Sequence, residues 1–518
     1  MVRQVAVIGA GASGLVATKC CLDEGLEPTC FERSEDIGGL WRFADNADCG
    51  RVSVYRSVIS NTSKEMSCFS DFPCPEDFPS FLPHSLFLEY FRMYARHFQL
   101  LRHIRFKTTV ISVRKRPDFA TSGQWEVITE TEGIQESHVF DAVMVCAGKF
   151  QQPHLPLASF PGIETRFRGQ YFHSLEYKDA AAFQGKRVLV VGMGNTGCDI
   201  AVDMSHVAAK VFLSGRSSKW VFSRVANHGF PWDMHNTTRF NHFLEWLLPS
   251  AIMKRIKIWK VNSWFNHEIY GLASLPFCML SGTIVLKSNV KEFTETSAVF
   301  EDGTTEENID VVVFATGYNF SFSFLEESIC NPLKNNRTLY KCVFPPQLER
   351  PTLAVIGLIG LTGSVMVGAE IQARWVTGVF AGGRGTAGIG EVLGREDRST
   401  CWAWSLCGEI ASCAGVKPSM LRLLLTDPRL ALAVFFGPCT SYQYRLMGRG
   451  QWSGARAAIL TQWQRVLKPL RTRVLEDSAT SYSWHWLGLL ALPTVLVAGF
   501  LLSKFVLIWK LLGGASWK

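Results

Sequence analysis

Two glycine-rich turns, each set between an apolar strand and a helical pattern, most constrain the fold of this chain. The first, Gly9-Ala10-Gly11-Ala12-Ser13-Gly14, follows residues 5–8, and the second, Gly192-Met193-Gly194-Asn195-Thr196-Gly197, follows residues 188–191. In such a turn the first glycine permits a tight bend, the second lets a pyrophosphate approach the backbone, and the third lets helix and strand pack closely. The sequence therefore predicts an α/β fold with two Rossmann-like dinucleotide-binding domains.

An acidic residue accompanies the first turn. Glu32 follows the next strand, eighteen residues after Gly14, where a carboxylate can accept hydrogen bonds from ribose hydroxyls. The adjacent glycines of Gly38-Gly39-Leu40-Trp41 permit either close backbone approach to a ligand or a turn with positive φ. The candidate cofactor-binding residues of the first site are the turn from Gly9 to Gly14, Glu32, Gly39, Leu40 and Trp41.

The second turn is followed by a base instead of an acid. Arg216 lies nineteen residues after Gly197, where an acid would bind the ribose 2′-hydroxyl of NAD and an arginine suits the 2′-phosphate of NADP. Lys219 could assist, and the alternative interpretation of Arg216 is an ordinary surface arginine. The candidate cofactor-binding residues of the second site are Gly192, Gly194, Asn195, Thr196, Gly197, Cys198 and Arg216.

Two nucleotide sites on one chain have a simple chemical meaning. One cofactor gives a hydride and the other receives it. The N-terminal site of such a pair usually holds FAD and the second holds NADPH, so we expect this chain to reduce a flavin with NADPH.

The composition argues against other kinds of function. The net charge of +8 is spread along 518 residues, and no nucleic-acid-binding motif is present. The fifteen cysteines form no CxxC pair and no ligand-like Cys/His cluster, so we expect free thiols in a reducing compartment and no metal site. The residues before the strand at 5–8 do not resemble a secretory signal, so we expect a chain that is not secreted. The sequons at Asn61 and Asn336 are therefore interpreted as chance matches on the cytosolic side.

Several further stretches resemble one enzyme family. Residues 167–177 match the signature F-x-G-x-x-x-H-x-x-x-Y of the flavin-containing monooxygenases, in their animal, membrane-bound, dimethylaniline monooxygenase-like branch. The related Baeyer–Villiger enzymes carry Trp-Pro at the end of this signature, where this chain has Tyr177-Lys178. The resemblance extends from about residue 3 to residue 475. It includes residues 24–33, 60–66, 289–303, 315–318 and 436–439.

The resemblance implies a two-stage reaction. NADPH reduces FAD, the reduced flavin takes up O₂ to form a hydroperoxyflavin, and a soft nucleophilic nitrogen or sulfur of a small molecule takes one oxygen atom. Asn61 matches the family's asparagine beside flavin and nicotinamide, with Ser60 and Thr62 as cofactor-contacting neighbours. Residues 195–198 match the family's NADP pyrophosphate turn. The family also implies a role in xenobiotic metabolism at the endoplasmic reticulum (microsomal) membrane.

Two segments depart from the family pattern. Residues 273–280 follow Tyr270-Gly271-Leu272 with material missing, and residues 382–415 are shortened and lack the family's Thr-Leu-Gln-Thr-Asp-Tyr run. Nucleotide binding is expected to survive these departures. Two alternatives to a monooxygenase therefore stay open: an uncoupled NADPH oxidase that releases hydrogen peroxide, and a catalytically impaired paralogue that only binds nucleotides.

The expected organisation is an FAD domain interrupted by an NADPH domain and followed by a tail. The predicted units are residues 1–165 and 331–475 for the FAD domain, 166–330 for the NADPH domain with a helical insertion around 230–280, and 482–512 for a membrane anchor. Residues 487–508 are about long enough to cross a bilayer, and basic residues precede them, which keeps the catalytic body in the cytosol. A buried core helix and a helix lying in the membrane interface are the alternatives. The Trp- and Lys-rich stretch 240–265 is interpreted either as a second membrane contact or as an amphipathic helix on the body.

Overall fold

The computed structural model describes most of the chain up to residue 470. The described residues are 2–45, 52–217, 223–226, 230–256, 274–319, 322–329, 339–359, 363–382 and 403–470. The predicted tail anchor, Lys219, Asn336 and most of the shortened segment 382–415 lie outside them.

Short apolar runs form the strands, because side chains buried on both faces of a parallel sheet need no alternation. The strands are β1 (Gln4–Ile8), β2 (Glu27–Phe31), β3 (Ile104–Arg105), β4 (Thr108–Lys115), β5 (Trp125–Thr131), β6 (Ile134–Phe140), β7 (Ala142–Val145), β8 (Gln152–Pro153), β9 (Gln170–His173), β10 (Arg187–Val191), β11 (Lys210–Ser214), β12 (Ile284–Lys287), β13 (Val290–Phe293), β14 (Ala298–Phe300), β15 (Thr305–Glu306), β16 (Val311–Phe314), β17 (Tyr318–Asn319) and β18 (Leu353–Val355).

Helices connect the strands and dominate the C-terminal part of the described chain. They are α1 (Ala12–Asp23), α2 (Lys64–Ser67), α3 (His84–His97), α4 (Phe119–Ser122), α5 (Asn195–Ser205), α6 (Trp232–Asn236), α7 (Arg239–Leu247), α8 (Ser274–Leu280), α9 (Val365–Phe380), α10 (Ala403–Cys413), α11 (Met420–Thr426), α12 (Pro428–Phe436) and α13 (Ala455–Leu467).

The first sheet is parallel and has the strand order β18-β7-β1-β2-β3. In its centre Val7 lies opposite both Cys30 and Met144. Helix α1 packs on this sheet and against α9, and its buried face includes Leu15, Val16 and Cys20. Strand β18 comes from far along the chain and pairs with β7, so the first sheet is completed by residues that follow the second sheet in sequence.

The second sheet repeats this plan with the order β12-β11-β10-β16-β9, again all parallel. Val190 is opposite Leu213 and Val313 at its centre. Each half also contains an antiparallel three-stranded unit. In the first half, β4-β5-β6 comes directly before β7, which pairs with the central strand β1. In the second half, β13-β14-β15 comes directly before β16, which pairs with the central strand β10. The two halves are therefore the same dinucleotide-binding architecture built twice, which confirms the predicted α/β class with two such domains.

The helices that follow the glycine turns begin earlier than expected. In the sequence the helical patterns start at Leu15 and Cys198, after the last glycine of each turn, and so predict helices from those residues. In the structure α1 begins at Ala12 and α5 at Asn195. The third glycine of each turn thus lies inside the first helical turn. The prediction missed this because glycine is a poor helix former, whereas close packing against the strand decides the conformation here.

Within residues 230–280 the structure describes α6, α7 and α8, and residues 257–273 lie outside the description. The domain boundaries stay a prediction. In the described ranges no helix combines the length and the apolar character needed to cross a bilayer, and the predicted anchor is outside those ranges.

Candidate functional site

The first glycine turn leaves no room for side chains at its two ends. Gly9 has a φ of +99°, and a Cβ there would lie 2.9 Å from the carbonyl oxygen of Cys146; a Cβ on Gly14 would lie 1.7 Å from the carbonyl oxygen of Gly9. A Cβ on Gly11, by contrast, would come no closer than 3.7 Å to the rest of the protein, at Gly39 Cα. Gly9 and Gly14 therefore serve the fold, while at Gly11 the protein leaves space above bare backbone.

Helix α1 begins at this space without a capping side chain. Its N-cap residue is Gly11, so no side chain accepts from the first N–H groups of the helix. Uncapped N–H groups together with the helix dipole form an anion-binding end. The turn from Gly9 to Gly14 and the uncapped start of α1, here called the first cradle, therefore fit the pyrophosphate of a dinucleotide. The second cradle is the corresponding turn from Gly192 to Gly197 with the start of α5.

Glu32 lies beside the turn, as its spacing predicts. One carboxylate oxygen accepts from the backbone N–H of Ala10 at 2.8 Å, and the other accepts from the N–H and hydroxyl of Ser34 at 2.9 and 2.7 Å. The side chain is buried. These bonds hold a carboxylate at the end of β2 next to the cradle, where the ribose of a bound dinucleotide would lie.

The segment 38–41 contacts the same turn. Gly38 donates its N–H to the carbonyl of Ala10 at 3.1 Å, and a Cβ on Gly39 would lie 3.2 Å from Gly11 Cα. Trp41 stacks on Phe87 with 4.2 Å between ring centroids. Leu40 accepts from Val54 through its carbonyl at 3.1 Å. Of the two interpretations of the paired glycines, the positive-φ turn is observed, at +111° and +51°, and close approach to a ligand stays a prediction.

Sequence reasoning missed a third segment at this cradle. A Cβ on Gly357, which has a φ of +82°, would lie 2.3 Å from Oγ of Ser13. The N–H of Gly357 donates to the buried side chain of Gln372 at 2.9 Å. The available signal was a glycine directly after the apolar run 353–356, comparable to Gly9 after the run 5–8.

The second turn repeats the geometry of the first. Gly192 has a φ of +117° and a Cβ there would lie 2.4 Å from the carbonyl oxygen of Ala315, and a Cβ on Gly197 would lie 1.9 Å from that of Gly192. A Cβ on Gly194 would meet nothing within 4 Å. Gly194 is also the N-cap of α5, again without a capping side chain. Asn195, Thr196, Gly197 and Cys198 form the first turn of that helix. Burial raises the pKa of the Cys198 thiol to about 11, so this residue is a neutral thiol at physiological pH.

Arg216 lies at the end of β11, one residue beyond Gly215. A Cβ on Gly215 would lie 2.7 Å from Met193 of the second turn, so this strand end and the turn are in contact. Arg216 is exposed, and in the described part of the chain no ion pair involves it. An unengaged guanidinium beside the turn is available to a phosphate.

Asn61 lies between the two halves of the molecule. Its side-chain oxygen accepts from Nη2 of Arg224 at 2.7 Å, and the Nε atom of Arg224 donates to the carbonyl of Ser60 at 3.2 Å. Arg224 also lies 3.7 Å from the carboxylate of Asp199 on α5. Asn61 is thus connected, through Arg224, to the helix that begins at the second glycine turn.

The residues around Asn61 hold the turn closed. The Ser60 hydroxyl accepts from the N–H of Leu82 at 2.8 Å and donates to the carbonyl of Thr62 at 3.0 Å. The Thr62 hydroxyl lies 2.6 Å from that of Ser67. Ser60 and Thr62 therefore shape the turn that presents Asn61.

The segment before Asn61 is anchored to helix α5. The Tyr55 hydroxyl donates to Asp199 at 2.8 Å, and the Ser57 hydroxyl donates to Asp203 at 2.7 Å. Burial, and secondarily the neighbouring Asp199 carboxylate, raise the pKa of Tyr55. Tyr55 is therefore a neutral donor, and the contact ties the two dinucleotide-binding halves together.

The signature at residues 167–177 has a structural basis. A Cβ on Gly169 would lie 2.7 Å from the carbonyl oxygen of Asp310, and the Tyr177 hydroxyl donates to Asp203 at 2.6 Å. The Nδ1 atom of His173 accepts from the N–H of Leu175 at 3.1 Å, so Nε2 carries the proton and donates to the carbonyl of Gly317 at 3.0 Å. The residues of the 167–177 signature therefore stabilise the packing of strand β9 against the adjacent segments of the second domain. Among the described residues, no cluster of His, Cys, Asp or Glu could hold a metal ion.

Comparison with known proteins gives the family. The model of the flavin-binding monooxygenase-like family matches residues 2–504. Dimethylaniline monooxygenase [N-oxide-forming] 2 of Mus musculus is 54% identical over 530 residues, covering 96% of this chain and 99% of that protein. Flavin-containing monooxygenase 2 of Homo sapiens is 53% identical, with the same coverage. The 530 aligned positions exceed the 518 residues of this chain, so the relative has residues where this chain has none.

A solved structure of similar fold is S-allyl-L-cysteine S-oxygenase from Allium sativum, with a TM-score of 0.57, 23% identity, and coverage of 90% of this chain and 93% of that one. The two glycine cradles, the duplicated sheets and the match over nearly the whole chain have one explanation: this chain belongs to the flavin-binding monooxygenase-like family and is a flavin-dependent oxidoreductase.

Proposed function

We propose that this protein is an NADPH- and O₂-dependent flavin monooxygenase that oxygenates soft nucleophilic nitrogen or sulfur atoms of small molecules. The observation that carries the proposal is the contact of Asn61 with Arg224, which also pairs with Asp199 on the helix that begins at the second cradle. The relatives from mouse and human carry the names of N-oxide-forming and flavin-containing monooxygenases. FAD and NADPH are the cofactors.

FAD belongs in the first cradle. The bare backbone at Gly11 and the uncapped start of α1 receive its pyrophosphate, and Glu32 receives the ribose hydroxyls. The segment 39–41 closes over the turn. When bound, the flavin accepts hydride and activates oxygen; the residues of this chain bind and orient it.

NADPH belongs in the second cradle. The space above Gly194 and the uncapped start of α5 suit its pyrophosphate. Arg216 follows β11 much as Glu32 follows β2. The positive side chain at the second site and the negative side chain at the first therefore favour different cofactors. A guanidinium there attracts a 2′-phosphate, whereas a carboxylate would repel it.

The proposed role of Asn61 follows from which hydrogen-bonding group of its amide is not occupied by Arg224. Arginine can only donate, so Arg224 occupies the carbonyl end of the amide. The NH₂ end therefore points elsewhere and can donate to a developing negative charge on oxygen. Such a fixed donor stabilises a developing oxyanion when bound cofactor and substrate shield it from water.

Counting reactants and products tests the proposal. Coupled turnover converts NADPH, a proton, O₂ and substrate into NADP⁺, water and the oxygenated substrate. Uncoupled turnover converts NADPH, a proton and O₂ into NADP⁺ and hydrogen peroxide. We expect the full chain in detergent, with a tertiary amine or a thioether, to form one oxygenated product for nearly every NADPH consumed.

The same counts identify the alternatives. A peroxide yield equal to NADPH consumption, with or without substrate, would make the protein an NADPH oxidase. Nucleotide binding without NADPH consumption would make it a paralogue that only binds nucleotides. Either result would overturn the proposal.

Membrane lipid is the proposed second partner, and the endoplasmic reticulum membrane the proposed location, with the catalytic body facing the cytosol. The apolar segment 482–512 is the proposed anchor. In the stretch 240–265, Phe240 packs on Phe436 with 5.2 Å between ring centroids, so this face of α7 lies on the body. Trp246 on the same helix is 80% exposed, which supports a membrane contact at its far end.

A further inference from the structure

The turn that carries Asn61 is held by a buried carboxylate from the other half of the chain. The Oδ2 atom of Asp233 accepts the backbone N–H of Ser63 at 2.7 Å and the hydroxyl of Ser63 at 3.0 Å. Its Oδ1 atom accepts the N–H of Met234 at 2.9 Å. Asp233 is 8% exposed and Ser63 is fully buried. Three donors thus converge on one carboxylate that water scarcely reaches.

The element that presents Asp233 is itself fixed. Helix α6 places Met234 in a small buried cluster with Met66 and Val466. The residue after this helix, Thr237, accepts the N–H of Cys439 through its carbonyl at 2.8 Å. The helix that carries Asp233 is therefore packed into the body of the protein, and the carboxylate reaches the turn from there.

The contact lies two residues from Asn61 and uses different atoms from the Arg224 contact. The two anchors are linked through the backbone, because the carbonyl of Arg224 accepts the N–H of Trp232, the residue before Asp233, at 2.8 Å. Arg224 fixes the side-chain amide of Asn61, whereas Asp233 fixes the backbone at Ser63. Both come from the segment between β11 and β12, which reaches from the second half of the molecule to the turn in the first half. Catalytic groups need placement within about 0.5 Å, so a backbone anchor this close decides where the Asn61 amide lies.

We propose that Asp233 is a positioning residue that fixes the Asn61 turn from the side of the second domain, and thereby keeps oxygen transfer coupled to NADPH consumption. This rests on the proposed function, in which the NH₂ group of Asn61 donates to reactive oxygen. Asp233 acts through the backbone of Ser63 and not by contact with the cofactor.

Hydrogen exchange of the full, flavin-loaded chain in detergent tests the anchor without reference to activity. Replacing Asp233→Ala should make the amides of residues 63–66 exchange about tenfold faster, because a hydrogen bond to a charged acceptor is lost. Asp141→Ala is the matched control. Its carboxylate accepts the N–H groups of Arg3 and Gln4 at 2.9 and 3.0 Å. That variant should change exchange at residues 3 and 4 and leave residues 63–66 as in the wild type.

The hydrogen peroxide released per NADPH, with substrate present, tests the consequence. Asp233→Ala should raise this ratio severalfold and keep the flavin content, and Asp141→Ala should leave it unchanged. Ser63→Ala keeps the backbone N–H and removes only the hydroxyl, so we expect a smaller rise. If Asp233→Ala does not fold, Ser63→Ala carries the test.

Asn61→Leu, measured in parallel, separates the two proposals. If Asn61→Leu raises the peroxide ratio while Asp233→Ala or Ser63→Ala changes neither exchange nor the ratio, the positioning role is wrong and the proposed function stands. Faster exchange with an unchanged ratio would also overturn the positioning role, since the anchor would be only structural. If Asn61→Leu itself leaves the ratio at the wild-type value, the assigned role of Asn61 fails, and the positioning role fails with it.

Discussion

The Nη2 atom of Arg224 lies 2.7 Å from Oδ1 of Asn61. A guanidinium has no acceptor, so this contact determines which end of the amide remains free, and the free end is a donor. The Asn61 side chain is exposed, and its partner is half-buried. A residue in a surface turn thereby acquires one defined orientation.

Asn61→Leu should therefore retain flavin and NADPH consumption but lose the oxygenated product. Removing a fixed donor at a site of developing negative charge typically costs a factor of about 10²–10³. The measurement is product, peroxide and NADPH counted in one reaction. Asn289→Leu is the control, because Asn289 donates to Glu301 on the exposed β12–β13 side of the second domain. Normal product yield from Asn61→Leu would mean that Asn61 is only a turn residue.

Gly11→Val should lose bound FAD while the fold persists. A Cβ at Gly11 would lie 3.7 Å from Gly39 Cα, an ordinary van der Waals contact, so it does not clash with the fold and adds bulk to the space proposed for the pyrophosphate. The absorbance of bound flavin in the purified protein measures the effect. Gly408→Val, in α10, adds a side chain where a Cβ has nothing within 4 Å and should keep its flavin. A full flavin complement in Gly11→Val would contradict the assignment of the first cradle.

Arg216→Ala should weaken NADPH binding about 10–100-fold and change NADH binding little, since only NADPH carries the phosphate that the guanidinium contacts. The KM values for the two cofactors measure this. Arg168→Ala in the same domain is the control; Arg168 pairs with Glu295 at an exposed position. An equal loss for both cofactors would show that Arg216 has a structural role.

Asp71→Asn should destabilise the protein by about 1.5–3 kcal/mol at neutral pH, because it removes a charged hydrogen-bond acceptor shared by two buried cations. Lys19 keeps Asp23 as a partner and Arg445 keeps Glu370, so neither cation is left unpaired. Burial alone would raise the pKa of Asp71, but Arg445 and Lys19 outweigh it and lower that pKa below 3.8. The ionised carboxylate therefore contributes fully to the free energy of unfolding above its ordinary pKa of 3.8. This contribution is lost as the pH falls through the lower folded-state pKa. Melting curves should show a difference that shrinks at acid pH. As a control, Glu292→Gln, in an exposed pair with Arg166, should leave the melting temperature nearly unchanged.

Deleting residues 487–518 should move the protein out of the membrane pellet and leave nucleotide binding intact. The deleted segment contains the apolar run that is proposed to anchor the chain. Fractionation followed by flavin absorbance measures both properties. If the truncated protein stays on membranes after a high-salt wash, the stretch 240–265 holds it by apolar contact, since salt screens surface charge and does not weaken apolar insertion.

The parts of the site that the sequence predicted are those in which a short run of residues determines the geometry. A glycine at a fixed offset from a strand must adopt a positive φ or approach another backbone, so the cradles, Glu32 and Arg216 could be placed from spacing alone. The parts that were missed depend on residues distant in sequence. Glu65 pairs with Arg465 across 400 residues.

The same limit applies around Asn61. The contact between Asp233 and Ser63 spans 170 residues, and that between Arg224 and Asn61 spans 163. The local pattern contains no signal for such contacts. Even the role of Asn61 came from family resemblance, because a lone asparagine in a turn is ordinarily a turn former.

The position of β18 has a consequence for how the chain is made. The first sheet needs residues 353–355 at its edge, yet every strand of the second sheet precedes them in sequence. A nascent chain leaves the ribosome from its N-terminus, and domains generally fold as units as they emerge. The second nucleotide domain can therefore be complete while the first still lacks an edge strand. The half of the protein that is synthesised first is the half that must wait to finish folding.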